Sequence, residues 1–232
     1  MDWDGAVNAW HVAGGVYRMG RREWLTEAGW QQAYNAGIRT VLDLRNAAEA
    51  RRRDTDPVVS RAALQGMAVV AAPTEEPGDP RLTAVTGPYL NDPAYYADNA
   101  RIFPEKLVGV FQALAAAASR GDVVLHCAAG RDRSGMVAAM LQDLAGHPDH
   151  LIADGYARAA RGINERYRAH GPPHARERYM HDAELTPLLE EHGRMVVKFV
   201  RELDTRAFLL QNGLRDIELT AILRLLDSTE GP

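Results

Sequence analysis

Val123-Val124-Leu125-His126-Cys127-Ala128-Ala129-Gly130-Arg131-Asp132-Arg133-Ser134-Gly135 decides how this chain is read. Its apolar opening, Asp122 to His126, suits a buried strand. Small residues follow, and Ser134 to Ala145 then reads as a helix. A loop between strand and helix gathers backbone N–H groups at the positive end of a helix dipole, where an anion can sit. Cys127 opens that loop and Arg133 closes it after five residues. Cys127 is the only cysteine in the chain, so no other thiol competes as nucleophile.

A phosphomonoester dianion repels nucleophiles, so attack on it needs neutralised oxygens and a pre-ionised attacker. Ala128, Ala129 and Gly130 leave room for backbone to wrap the oxygens, and the local positive field favours a thiolate. Arg133 supplies a planar fork that tightens as charge spreads in the transition state. Ser134 can donate to the sulfur and ease its departure from a cysteinyl-phosphate. His126 is expected to anchor the loop backbone, and Gly135 to permit close packing at the helix start. Arg131 either recognises a second phosphate or neutralises Asp132.

The leaving oxygen needs a proton, and a carboxylic acid is the usual donor. Asp132 leads the candidates, because a carboxylate beside a bound dianion is driven towards its protonated form. Asp79, Asp92 and Asp98 occupy the interval where a mobile acid loop would lie, but no Trp-Pro-Asp occurs there. Asp43 and Arg45 share one face of a predicted strand, Thr40 to Leu44, whose C-terminal end should approach the Cys127 loop. Asp43 is expected to orient Arg133 or the loop more than to donate a proton.

The remaining pattern is α/β. Strands are predicted within Gly14–Gly20 and at Met67–Ala71, and helices at Thr26–Ala36 and across 93–118, with a break near Pro104. Glu49–Arg53 reads as a charged helical turn. Residues 73–92, with Pro73, Pro77, Pro80 and Pro88, read as a long loop. After Gly146 the chain is helical and strand-free, at Leu151–Arg168, Ala183–Arg201 and Leu214–Leu226. The expected architecture is a single domain over 1–232: a sheet flanked by helices in 1–146, and a helical cap or lid in 147–232.

The chain has 232 residues, of which 46% are hydrophobic and 25% charged, enough for a sizeable core. A net charge of −4 provides no global basic field for nucleic acid. A single cysteine excludes an internal disulfide. Met1-Asp2-Trp3-Asp4-Gly5 lacks the features of a secretory signal. The longest apolar run, Val108 to Ala118, is too short to span a bilayer. The expectation is a cytoplasmic protein without stable membrane insertion, with signal-less secretion open. The eight histidines are scattered, so neither metal nor cofactor is expected.

The loop resembles the signature of cysteine-dependent tyrosine and dual-specificity phosphatases. His126-Cys127-x-x-Gly130, followed by Arg131-Asp132-Arg133-Ser134-Gly135, is similar to the atypical bacterial and fungal tyrosine phosphatase family, which includes the mycobacterial phosphatase B. Thr40-Val41-Leu42-Asp43-Leu44-Arg45 after Gly37-Ile38-Arg39 matches a second hallmark, and Tyr17-Arg18 before Leu25-Thr26 also fits. The resemblance implies a cysteine-phosphatase fold. It also implies hydrolysis of phosphotyrosine, or of phosphoserine, phosphothreonine or phosphoinositides. Three positions depart from the pattern. Asn8-Ala9-Trp10-His11-Val12-Ala13-Gly14 lacks the usual Arg-Asp pair, Arg131 stands where lysine is usual, and Gly155-Tyr156 stands where Asp-Tyr is common. The change at Arg131 bears on substrate preference.

Two other readings use the same spacing. A rhodanese-like sulfurtransferase also has Cys-x5-Arg, but the Ser134-Gly135 pair and the Asp-Leu-Arg strand argue against it. A phosphate-binding module without turnover would not need Cys127, Arg133 and Ser134 together.

Overall fold

The computed structural model describes residues 1–87, 90–174 and 177–228. Its centre is the predicted strand before Cys127, here β5 (Asp122–His126). Four other strands are β1 (Trp10–Ala13), β2 (Val16–Met19), β3 (Ile38–Asp43) and β4 (Ala68–Ala71), and the sheet order is β1-β2-β5-β3-β4. β5 runs parallel to β2 and β3, β3 runs parallel to β4, and β1 closes a hairpin with β2. β5 is apolar on both faces because both are covered. Val124 joins Trp30, Ile38 and Val41 on one side, while Val123 and Leu125 join Val16 and Leu42 on the other.

The helices follow their sequence signals closely. Thr26 caps α1 (Glu27–Asn35) by accepting from Gly29 N, and Gly37 ends it at φ +96°. The break near Pro104 separates α3 (Tyr96–Ile102) from α4 (Pro104–Ala117). α5 (Arg133–Leu144) leaves the cysteine loop. The C-terminal part holds α6 (Asp149–His170), α7 (Asp182–Leu203), α8 (Thr205–Gln211) and α9 (Asp216–Asp227). α6 and α7 pack on each other and on α5, and α9 lies against α4. One continuous core joins Val16 and Leu125 of the sheet to Val196, Phe199 and Leu226 of these helices.

Two expectations are corrected, and one helix is added. The 73–92 segment contains a helix, α2 (Pro80–Thr86), started by Asp79, whose side chain accepts from Arg81 N, with Pro80 in the first turn. Pro88 of that prediction lies outside the described residues. Glu49–Arg53 is not helical: a turn ends at Glu49 and irregular chain follows. Side-chain acceptors replace the helical ladder there, Glu49 taking Asn46 N and Asp56 taking Arg53 N. The short α8 was not anticipated; Asp204 starts it by accepting from Ala207 N.

Candidate active site

Residues 127–132 join β5 to α5, and their carbonyls are held from outside the loop. His126 Nδ1 lies 3.1 Å from Cys127 O. Arg21 N donates to Ala128 O at 3.0 Å, and Asn8 Nδ2 to Ala129 O at 2.9 Å. Arg18 Nη2 reaches Gly130 O at 2.8 Å and Arg131 O at 3.0 Å, and the Tyr96 hydroxyl donates to Asp132 O at 2.9 Å. In a trans peptide the carbonyl and the next residue's N–H point opposite ways, and no cis bond occurs among the described residues. Carbonyls drawn outward therefore turn the following N–H groups towards the loop's interior. Gly130 makes the bend possible at φ +71°; a Cβ there would lie 2.6 Å from Gly20 N and 2.7 Å from Met19 O.

Cys127 is buried at the foot of this loop. Its Sγ lies 3.4 Å from Ser134 Oγ. Arg18 Nη2, whose two protons go to Gly130 O and Arg131 O, stands 3.5 Å from that same oxygen, so the thiol and the hydroxyl can each donate to the other. Gly135 keeps the approach open, since a Cβ would stand 2.9 Å from the Tyr96 hydroxyl oxygen.

Arg133 divides its five donors. Nη1 and Nη2 donate to the two carboxylate oxygens of Glu49 at 2.6 and 2.7 Å, and the second Nη1 proton goes to Glu75 Oε1 at 3.4 Å. Nε–H and the second Nη2 proton remain, on one edge of the guanidinium. They have no acceptor among the described residues, so a two-pronged edge stays open for an oxyanion. Glu75 is held above its ordinary range by burial, with Arg133 pulling the other way.

Asp132 stands on the same wall. Its Oδ2 accepts from Arg131 Nε at 3.0 Å, and the Tyr156 hydroxyl donates to Oδ1 at 3.4 Å. Tyr156 is also 3.2 Å from His192 Nδ1, and His192 Nε2 is 3.5 Å from Asp92. Burial pushes the Tyr156 hydroxyl well above its ordinary pKa, so it remains a donor. Both terminal nitrogens of Arg131 go to Glu177, at 3.0 and 3.3 Å. Of the other candidate acids, Asp79 caps α2 and Asp98 pairs with Arg101, while Asp92 caps the turn at Pro93 and is joined to Asp132 only through His192 and Tyr156.

Asp43 and Arg45 lie beside His126 at the start of the loop, while the carboxylates that hold Arg133 are Glu49 and Glu75. The Asp43 carboxylate accepts from Arg45 N, Nε and Nη2, and stands 3.5 Å from His126 Nε2. Burial pushes the His126 pKa down to about 4, although the Asp43 charge opposes it. Glu23 accepts the far side of Arg45. Burial raises the Glu23 pKa, but Arg45 and Arg21 outweigh it and hold it at about 2.

Cys127, Ala128, Ala129, Asp132 and Arg133 line a cleft of about 810 Å³. Sequence reasoning assigned no site role to Asn8, Arg18, Glu49, Glu75 or Tyr96. One usable signal was position: Arg18 lies near the C-terminal end of β2, and Glu49 follows β3 closely, where parallel sheets bind ligands.

The tyrosine phosphatase family model matches residues 8–224. A tyrosine-protein phosphatase of Nostoc commune is 42% identical over 74 residues, which are 32% of this chain. That match spans 23% of the curated relative's length. Among solved structures, P. aeruginosa TpbA in complex with pTyr aligns at a TM-score of 0.48 and 17% identity, covering 89% of this chain and 90% of that one. The S. cerevisiae PP-IP phosphatase Siw14 core with citrate aligns at 0.36 and 16%, covering 87% and 94%.

Proposed function

This chain belongs to the tyrosine phosphatase family, and on that premise we propose that it hydrolyses phosphomonoesters, phosphotyrosine foremost, through a cysteinyl-phosphate on Cys127. One observation carries the reading. The carbonyls of the Cys127 loop are bonded by Arg21 N, Asn8, Arg18 and Tyr96, which leaves its N–H groups for an anion, and Glu49 holds Arg133 so that its Nε–Nη2 edge is left for the same anion.

In this mechanism the N–H groups and the Nε–Nη2 edge of Arg133 bind the non-bridging oxygens. The Cys127 thiolate attacks phosphorus, the P–O bond to the leaving group breaks, and Asp132 gives that oxygen its proton. Water then attacks the cysteinyl-phosphate and passes a proton back to Asp132. The P–S bond breaks with the electron pair returning to sulfur, which Ser134 stabilises by hydrogen bond. His126 and Asp43 support the loop from outside the cleft, and Arg45 lines the cleft while held by Asp43 and Glu23.

Replacing Cys127 with serine is expected to abolish p-nitrophenyl phosphate hydrolysis; residual turnover at wild-type rate would overturn the proposal. Asp132→Asn should slow an aryl phosphate with a poor leaving group by roughly a hundredfold and p-nitrophenyl phosphate by much less. Equal slowing of both would remove Asp132 from the acid role.

A further inference from the structure

The cleft extends well beyond the cysteine loop, and its far wall is arginine-rich in a chain of net charge −4. Three of its arginines are matched by carboxylates. Arg21 pairs with Asp56 and Glu23, Arg45 with Asp43 and Glu23, and Arg133 with Glu49 and Glu75. Arg51, Arg53 and Arg166 also line the cleft, and none of them pairs with a carboxylate among the described residues. Arg166 lies on α6 with its guanidinium 3.9 Å from the centre of the Trp24 ring. The stack fixes its plane and leaves its edges free. Burial, and the charges of Arg21 and Arg53, pull the Arg166 pKa down, with Asp56 opposing. Asp56 cannot answer all of these cations, because its Oδ2 already accepts from Arg21 Nη2 and Arg53 N, each at 2.6 Å. Among the described lining residues, arginines outnumber carboxylates six to three.

We propose that Arg166, stacked on Trp24 and flanked by Arg53 and Arg51, forms a second anion subsite. It takes a carboxylate or phosphate carried beside the phosphotyrosine of a peptide substrate. The proposal rests on the phosphatase reading and deepens it. A cleft of about 810 Å³ is large enough for more than one side chain. Ile163, Pro172 and Pro173 give its wall apolar surface against which a peptide can lie. A lipid surface is disfavoured, since the exposed large hydrophobic residues Met1, Val58, Val69, Leu151 and Ile217 do not line the cleft. Arg131, the sequence-level candidate for a second phosphate, is instead committed to Asp132 and Glu177.

The test uses three phosphotyrosine peptides that differ only in a neighbouring residue: neutral, glutamate or phosphoserine. For the full chain, kcat/KM is expected to rise about tenfold with the added anion, mainly through KM. Glutamate and phosphoserine separate the two anion sources, and a preference for either supports the subsite. Arg166→Ala and Arg53→Ala should bring the anionic-to-neutral ratio close to one, and Arg166→Lys should keep part of it. A wild-type ratio of one, or an Arg166→Ala loss equal for all three peptides, overturns the proposal. So does a stronger preference for a bisphosphorylated lipid in phosphatidylcholine vesicles than for either anionic peptide. Fluorescence polarisation with the same peptides on Cys127→Ser reads the subsite without turnover. A flank preference in binding with no wild-type hydrolysis sinks the phosphatase reading and keeps the subsite; hydrolysis without any flank preference does the reverse.

Discussion

Glu49 takes Arg133 by both terminal nitrogens, so its carboxylate decides which edge of the guanidinium faces the cleft. Glu49→Gln has only one acceptor oxygen to offer, and kcat/KM for p-nitrophenyl phosphate should fall roughly tenfold. An unchanged value would show that the loop alone orients Arg133. His126 makes a separate prediction. It is wholly buried, with its pKa pushed from 6.5 to about 4. Between those values the unfolded chain holds a proton that the folded chain lacks, so stability falls as pH drops from 6.5 towards 4. At about 1.4 kcal/mol per unit the loss approaches roughly 3 kcal/mol. Glu23, held at about 2, contributes stability above its ordinary 4.5 that is lost as pH falls through that interval. Urea unfolding at pH 7 and pH 5 should show a shallower slope in His126→Asn than in wild type; parallel slopes would clear His126. At this scale Cys127, Arg133 and Ser134 were legible because their spacing is local. Glu49 and Glu75 were not, since they reach Arg133 across 84 and 58 residues of chain.

The cysteine loop is an element whose shape is imposed by its neighbours. Asn8 Nδ2 bridges Ala129 O of the loop and Ala159 O of α6, at 2.9 and 2.8 Å. Asn8→Ala leaves both carbonyls short of a donor, so a loss of about 1–3 kcal/mol is expected in chemical denaturation, together with slower turnover. A variant as stable and active as wild type would mean that water replaces the amide. Gly162 guards the same bridge: its Cβ would sit 2.0 Å from Asn8 Oδ1. Most strands and long helices were readable from periodicity, because burial on one or both faces writes itself into the apolar spacing. α2 was hidden by its prolines, although Asp79-Pro80 is a helix-start signal. The 49–53 stretch misled in the other direction: charges that suit a helix turn serve instead as acceptors and as cleft arginines.

Across the whole molecule, the C-terminal helices share the core of the sheet. Phe199 of α7 meets the Tyr96 ring edge-on, with centroids 5.5 Å apart, and Tyr96 in turn holds Asp132 O. A helical region built this way should behave as structure more than as a detachable lid. Thermal unfolding is expected to show one transition by circular dichroism and by tryptophan fluorescence alike, and residues 1–146 alone should not fold. Two separated transitions would restore the lid. No helix among the described residues is long and apolar enough to cross a membrane. Read along the chain, the α/β alternation, the phosphate-type loop and its family are visible, because each depends on neighbours within a few residues. The partners of the arginines are not visible. Arg131 and Arg133 look alike in the loop, yet Arg131 turns to Glu177 while Arg133 keeps an edge for the cleft. Coulomb attraction acts between whichever charges folding brings close. Only the packing of β2, β3, α6 and the 49–56 segment around β5 settles which arginines are matched and which face the cleft without a carboxylate.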